Sequence, residues 1–121
     1  MITRIAQLAL PNILAMALVG CFNMPTPPSQ ITGSYTSEVN YNDYSCQELA
    51  AEQASLARRE NQLTTAQDQR IKTSSVQAVL LGFGQGDGIE ASELATVRGE
   101  KEAVRTALDG KGCRYETLNS R

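Results

Sequence analysis

Few side chains in this chain could carry out covalent chemistry. Its thiols are Cys21, Cys46 and Cys113, and there is no histidine among its 121 residues. Without imidazole there is no His-based triad, no His metal ligand and no His proton relay. A Ser–Lys dyad of the Ser-x-x-Lys type is absent, as is the C-x-x-C spacing of a dithiol redox centre. Gly82, Gly84, Gly86 and Gly88, in GFGQGDG, invite comparison with a phosphate-cradling loop. No Lys-Ser/Thr follows them and no G-x-G-x-x-G is formed, so the stretch reads as a turn. Asp87 and Glu90 are too few oxygen ligands for a calcium loop. Glu100 and Glu102 read as the solvated face of a charged helix. No catalytic residue, metal or cofactor is therefore expected, and the chain reads as a non-enzyme.

What the thiols can do depends on what surrounds them. Arg4 is the single charge of residues 1–20, and residues 5–19, IAQLALPNILAMALV, are mostly apolar. That is the layout of an export signal. The sequence Leu18-Val19-Gly20-Cys21 resembles the lipobox of bacterial lipoproteins, with a bulky apolar residue three positions before the cysteine and small residues up to it. The resemblance implies that the Cys21 thiol receives a diacylglycerol, that the signal is cut before Cys21, and that the new amino group is acylated. Two or more chains, each methylene contributing about 0.8 kcal/mol when buried, hold a protein durably to a bilayer. Phe22 follows, where an aspartate in such lipoproteins favours retention at the inner membrane. The outer membrane, facing the periplasm, is then the expected location. Three alternatives stand beside this one. Ala15-Met16-Ala17 also fits an ordinary cleavage site. Residues 5–24 are long enough, at about 20 residues, for an uncleaved span. A cytosolic protein with a buried N-terminal helix is the third.

An odd number of cysteines suits an oxidising compartment only if one is otherwise engaged. With lipid on Cys21, Cys46 and Cys113 are left to pair, and no thiol nucleophile remains. Loss of Arg4 leaves 10 basic against 13 acidic side chains, a net charge of −3 on residues 21–121. This mild acidity argues against a nucleic-acid partner.

The elements that must position these groups follow from spacing. Residues 22–44 hold three prolines and many Ser, Thr and Asn with no helical or alternating period. They read as a disordered tether reaching roughly 70 Å, with Tyr35, Tyr41 and Tyr44 as incidental contacts. Ser45 three residues ahead of Glu48 is a capping box. Leu49, Leu56 and Leu63 then recur at sevens on a polar helix, a narrow seam for one partner helix. A second helix starts near Asp87, carries Ile89, Leu94, Val97, Val104 and Leu108, and stops at Gly110 and Gly112. Within it, Glu93-Leu94-Ala95-Thr96-Val97-Arg98-Gly99-Glu100 resembles a pattern in small uncharacterised bacterial envelope proteins that hold a helical hairpin between two cysteines. The fold expected is all-α: an antiparallel two-helix hairpin, coiled-coil-like, on a disordered N-terminal tether. Its divisions are an export signal at 1–20, anchor and tether at 21–44, hairpin at 45–114 and tail at 115–121.

Joining Cys46 to Cys113 sets a register. Leu49 then faces Leu108, Leu56 faces Val104, Leu63 faces Leu94 and Val97, and Ile71 faces Ile89. On the flanks Glu52 meets Arg105, Arg59 meets Glu100, Glu60 meets Arg98, Arg70 meets Glu90, and Lys72 meets Asp87. Gly99, mid-helix, marks a close approach of the helices. The closed loop would contribute roughly 4 kcal/mol to a small core. Beyond this register lies an apolar tip of Val76, Val79, Leu80, Leu81 and Phe83. Either these residues cap the hairpin's own end, or helix one overruns helix two, or they present a docking surface for an envelope protein, another copy or a membrane interface.

These observations lead to an expectation of a lipid-anchored envelope protein with a structural or accessory interaction role. A spanin-like lysis lipoprotein is the alternative, with a lipid-anchored hydrolase or inhibitor behind it. The C-terminal Asn119-Ser120-Arg121 lacks the terminal lysine by which murein-linked lipoproteins are attached.

Overall fold

A reciprocal cap opens the first helix. The Glu48 N–H donates to the Ser45 hydroxyl at 3.2 Å, and the Ser45 N–H donates to the Glu48 carboxylate at 2.7 Å. Both bonds satisfy backbone donors that a helix start leaves open, and hydrogen bonding from Ser45, its backbone N–H first, holds the Glu48 carboxyl below its ordinary value. From this cap helix α1 runs Cys46–Leu81, 36 residues and about 54 Å long, ending at Gly82. Helix α2 spans Ile89–Gly110 and returns antiparallel to it. The computed structural model describes residues 23–113, and among them the architecture is all-α. Besides the two helices there are single 3-10 turns at Pro28–Gln30 and Glu38–Tyr41, and no strand. Residues 1–22, where an export signal and a lipid-bearing Cys21 are expected, and residues 114–121, with the expected tail, lie outside the described residues.

The seam closes as the sevens require. Leu49, Leu56 and Leu63 share one core with Leu94, Val97, Ala103, Val104 and Ala107, and Leu108 packs at its edge. Each buried Leu or Val contributes roughly 1.5–3 kcal/mol. The rung expected between Ile71 and Ile89 does not close, because Ile89 is 69% exposed. On the flanks, Glu60–Arg98 at 2.8 Å and Arg70–Glu90 at 3.6 Å form as the register predicts. Arg59 instead pairs at 2.6 Å with Glu93, two turns nearer the tip than Glu100 on the same face. Arg105 reaches Glu102 of its own helix at 4.0 Å, and Asp87 is taken by Thr26 and Gln67. A register fixes which faces meet; long exposed side chains then choose among acids on that face.

Residues 23–44, expected as a flexible tether, lie along the hairpin as an irregular strap. The strap starts beside the loop joining the helices and runs to the disulfide end. Thr26 donates to Asp87 through both its N–H and its hydroxyl, each at 2.6 Å. The Arg98 guanidinium donates to the Pro28 carbonyl at 2.5 Å and also to the Ile31 carbonyl. The Ser34 N–H donates to the Ala95 carbonyl at 2.9 Å, and Lys111 donates to the Asn42 carbonyl at 2.6 Å. These bonds and the burial of Pro25, Pro28 and Tyr41 offset the entropy of ordering an aperiodic segment. Tyr41 is 8% exposed and belongs to the core, its ring edge-on to Tyr44 at 5.4 Å, whereas Tyr35 is open to solvent. Burial pushes the Tyr41 hydroxyl up, with Glu100 and Glu52 adding to the effect.

Gly99 does mark a close approach, but the partner is the strap. A Cβ on Gly99 would fall on the Ser34 carbonyl oxygen, and one on Gly33 would stand 2.9 Å from the Gly99 nitrogen. Two facing glycines let backbone meet backbone there.

Candidate functional site

Arg70 pairs with Glu90 in the first turn of α2, so residues 71–81 of α1 extend past the start of its partner by roughly 15 Å. This overrun forms the tip. The leucine stripe continues toward it as Gln67, just before the overrun, and on its inner face as Ser74 and Ala78, all buried. The residue types change because the covering partner changes. Beyond Leu63 the stripe is roofed by the loop 82–88 and the start of the strap, whose backbone groups need polar partners. Gln67 donates at 2.9 Å to both the Thr26 carbonyl and Asp87, and the Gln85 N–H donates to the Ser74 hydroxyl at 3.3 Å. Arg70 donates to the Gly86 carbonyl at 2.9 Å. The sequence reading missed Gln67 and Ser74. The available signal was that positions 67, 74 and 78 continue the seam's spacing with polar or small residues.

The outer face of the tip carries the predicted apolar residues. Val76 is 62% exposed, Val79 85%, Leu80 75%, Leu81 61% and Phe83 52%. Val76, Val79 and Leu80, at i, i+3 and i+4, share one face. No charged residue occurs between Lys72 and Asp87. The patch is therefore outside the core, and it is uncharged.

At the other end of α1, Cys46 and Cys113 are bonded, with an S–S distance of 2.00 Å and Cα atoms 5.6 Å apart. The pairing set by the cysteine count is the one present. It closes the base of the hairpin about 50 Å from the tip along a helix of this length. Among the described residues, the predicted site residues thus occupy two ends, the disulfide at the base and the apolar group at the tip; Cys21 lies outside the described residues.

The charged groups between them serve the packing. Glu60 accepts from Lys101 and from Arg98, and these bonds, Lys101 first, hold its carboxyl below the ordinary value. Arg98 also holds two strap carbonyls, which joins α1, α2 and strap at one guanidinium. The Thr26 hydroxyl, its N–H, and Gln67 likewise lower the Asp87 carboxyl. Among the described residues no three His, Cys, Asp or Glu side chains gather where a metal ion could be held. No described helix is long and apolar enough to cross a membrane. Searches of protein-family models, curated proteins and solved structures give no match to this chain.

Proposed function

We propose that this chain is a lipid-anchored cell-envelope protein, held at Cys21 in the outer membrane on its periplasmic side, with a structural or accessory interaction role exerted through its hairpin. One observation carries the reading. Leu18-Val19-Gly20-Cys21 stands at the exit of an apolar run, in a chain whose other two cysteines are bonded to each other. That leaves the odd cysteine at the position where lipoproteins take lipid. The hairpin supports an accessory role: it is stapled at its base, strapped along its length, and presents an apolar end. Residues 23–44, the proline-bearing segment, are docked along the hairpin, and this packing favours the accessory reading over the lysis-type one.

The experiment is fractionation of cells expressing the chain and its Cys21→Ser variant, with a metabolic fatty-acid label. The wild-type chain is expected in the outer-membrane fraction carrying label. Cys21→Ser should carry none, and should be released to the soluble fraction or accumulate as uncut precursor. Equal membrane association of the two without label in either would overturn the proposal.

A further inference from the structure

The strap decides which end of the hairpin meets the membrane. The described chain begins at Asn23, whose carbonyl accepts from the Gly86 N–H at 2.8 Å. A Cβ on Gly84 would stand 2.6 Å from that same carbonyl oxygen, and one on Gly86 would meet the Asn23 amide. Asn23 is therefore seated on the tip loop, with glycines where its backbone and side chain lie. Cys21 is two residues upstream, within about 7 Å of extended chain. A free tether would have left the tip up to roughly 70 Å from the anchor; a docked strap leaves it adjacent.

The geometry points to a hairpin standing tip-down, with Val76, Val79, Leu80, Leu81 and Phe83 inserted into the lipid surface that holds Cys21. This rests on the anchoring reading above and names the surface the tip engages. Three observations favour a bilayer over a protein. The apolar run 5–19 lies just upstream of the same point, so an uncleaved segment would also enter the bilayer at the tip. No Asp, Glu, Lys or Arg occurs in residues 73–86 or 22–37, so shallow insertion of this end desolvates no charge. Finally, a standard protein interface engages about 20–30 residues a side, and this patch offers five large apolar ones. With Cys21 anchored, the tip is held at high effective concentration beside the lipid, and a weakly inserting patch is enough. The disulfide and the Lys111 end then project into the periplasm.

The chain contains no tryptophan, which allows a single reporter. Full-length lipidated protein carrying Leu80→Trp is reconstituted into phosphatidylethanolamine–phosphatidylglycerol vesicles, with and without bromines on the acyl chains, and floated. Asp109→Trp, at the exposed end of α2, is the reference, and Val79→Trp is a second tip reporter. The expected result is flotation of all three, with both tip reporters blue-shifted and quenched by bromines at a depth of about 5–10 Å, while Asp109→Trp stays water-like and unquenched. Flotation with water-like tip emission would overturn the orientation and leave the anchor standing. A blue shift without bromine quenching would assign the patch to a second copy and also overturn it. Failure to float would remove the anchor and the orientation together.

Discussion

Substituting Gly99 by alanine sets two effects of opposite sign against each other. In a helix interior with nothing nearby, alanine is favoured over glycine by about 1 kcal/mol. Here the added Cβ would fall on the Ser34 carbonyl oxygen and 3.1 Å from the Thr36 hydroxyl. Ser34 cannot retreat freely. Its N–H is bonded to Ala95, and Arg98 grips the strap at Pro28 and Ile31 just upstream. Overpacking of this kind costs about 1–3 kcal/mol, and lifting the Ser34 N–H off its partner costs about 1 more. The net is a destabilisation of about 1–3 kcal/mol, which lowers the melting temperature of a domain this size by about 5–20 °C. The assay is circular-dichroism melting of a chain beginning at residue 22. Gly110→Ala, with no atom within 4 Å of its Cβ and at the last helical position, is the reference and should leave melting unchanged or slightly raised. In a chain beginning at residue 45 the same Gly99→Ala should raise the melting temperature, because the strap is gone. Stabilisation by about 1 kcal/mol in the longer chain, the value for an unhindered helix, would refute strap docking on α2.

Other expectations follow from the same packing. Replacing Cys46 and Cys113 together by serine should cost roughly 4 kcal/mol in guanidinium unfolding, given the 67-residue separation; unchanged stability would remove the staple from the account. Changing Val79, Leu80 and Phe83 to serine should leave helicity and melting nearly intact, since all three are more than half exposed; a collapsed transition would make the tip core. Acid should destabilise the protein. Asp87 and Glu60 are held below their ordinary values of 3.8 and 4.5. Their stabilisation is therefore complete above those values and lost as pH falls through the lowered folded ones. Urea unfolding from pH 7 down to pH 3 should show a plateau and then a decline, shallower in Glu60→Gln; an equally steep decline in that variant would contradict the Glu60 assignment.

Where side chains repeat, the sequence was informative. Ser45 and Glu48 marked the start of α1, the three leucines marked its buried stripe, and joining Cys46 to Cys113 brought Glu60 to Arg98 and Arg70 to Glu90. The strap was illegible for a physical reason. It is held mainly through backbone groups, the Ser34 N–H and the Pro28, Ile31 and Asn42 carbonyls, and backbone groups are the same in every residue type. Its traces were indirect: Gly99 in mid-helix, Gly33 opposite it, and Tyr41 among polar neighbours. Gln67 and Ser74 were passed over because polar residues on a seam look like its end. They are its continuation beneath a roof of backbone. At the tip, Val76, Val79, Leu80, Leu81 and Phe83 were identifiable as an apolar group. Their nearness to Asn23, and so to the segment just upstream of it, was visible only once the strap was seen to dock.

The central claim is an acyl anchor on Cys21, and the intact mass of the mature chain extracted from membranes tests it most directly. The account predicts a polypeptide of residues 21–121 carrying a thioether-linked diacylglycerol and an amide-linked acyl chain, two hydrogens lighter for the Cys46–Cys113 bond. A chain beginning at Leu18 with an unmodified Cys21 thiol would contradict it.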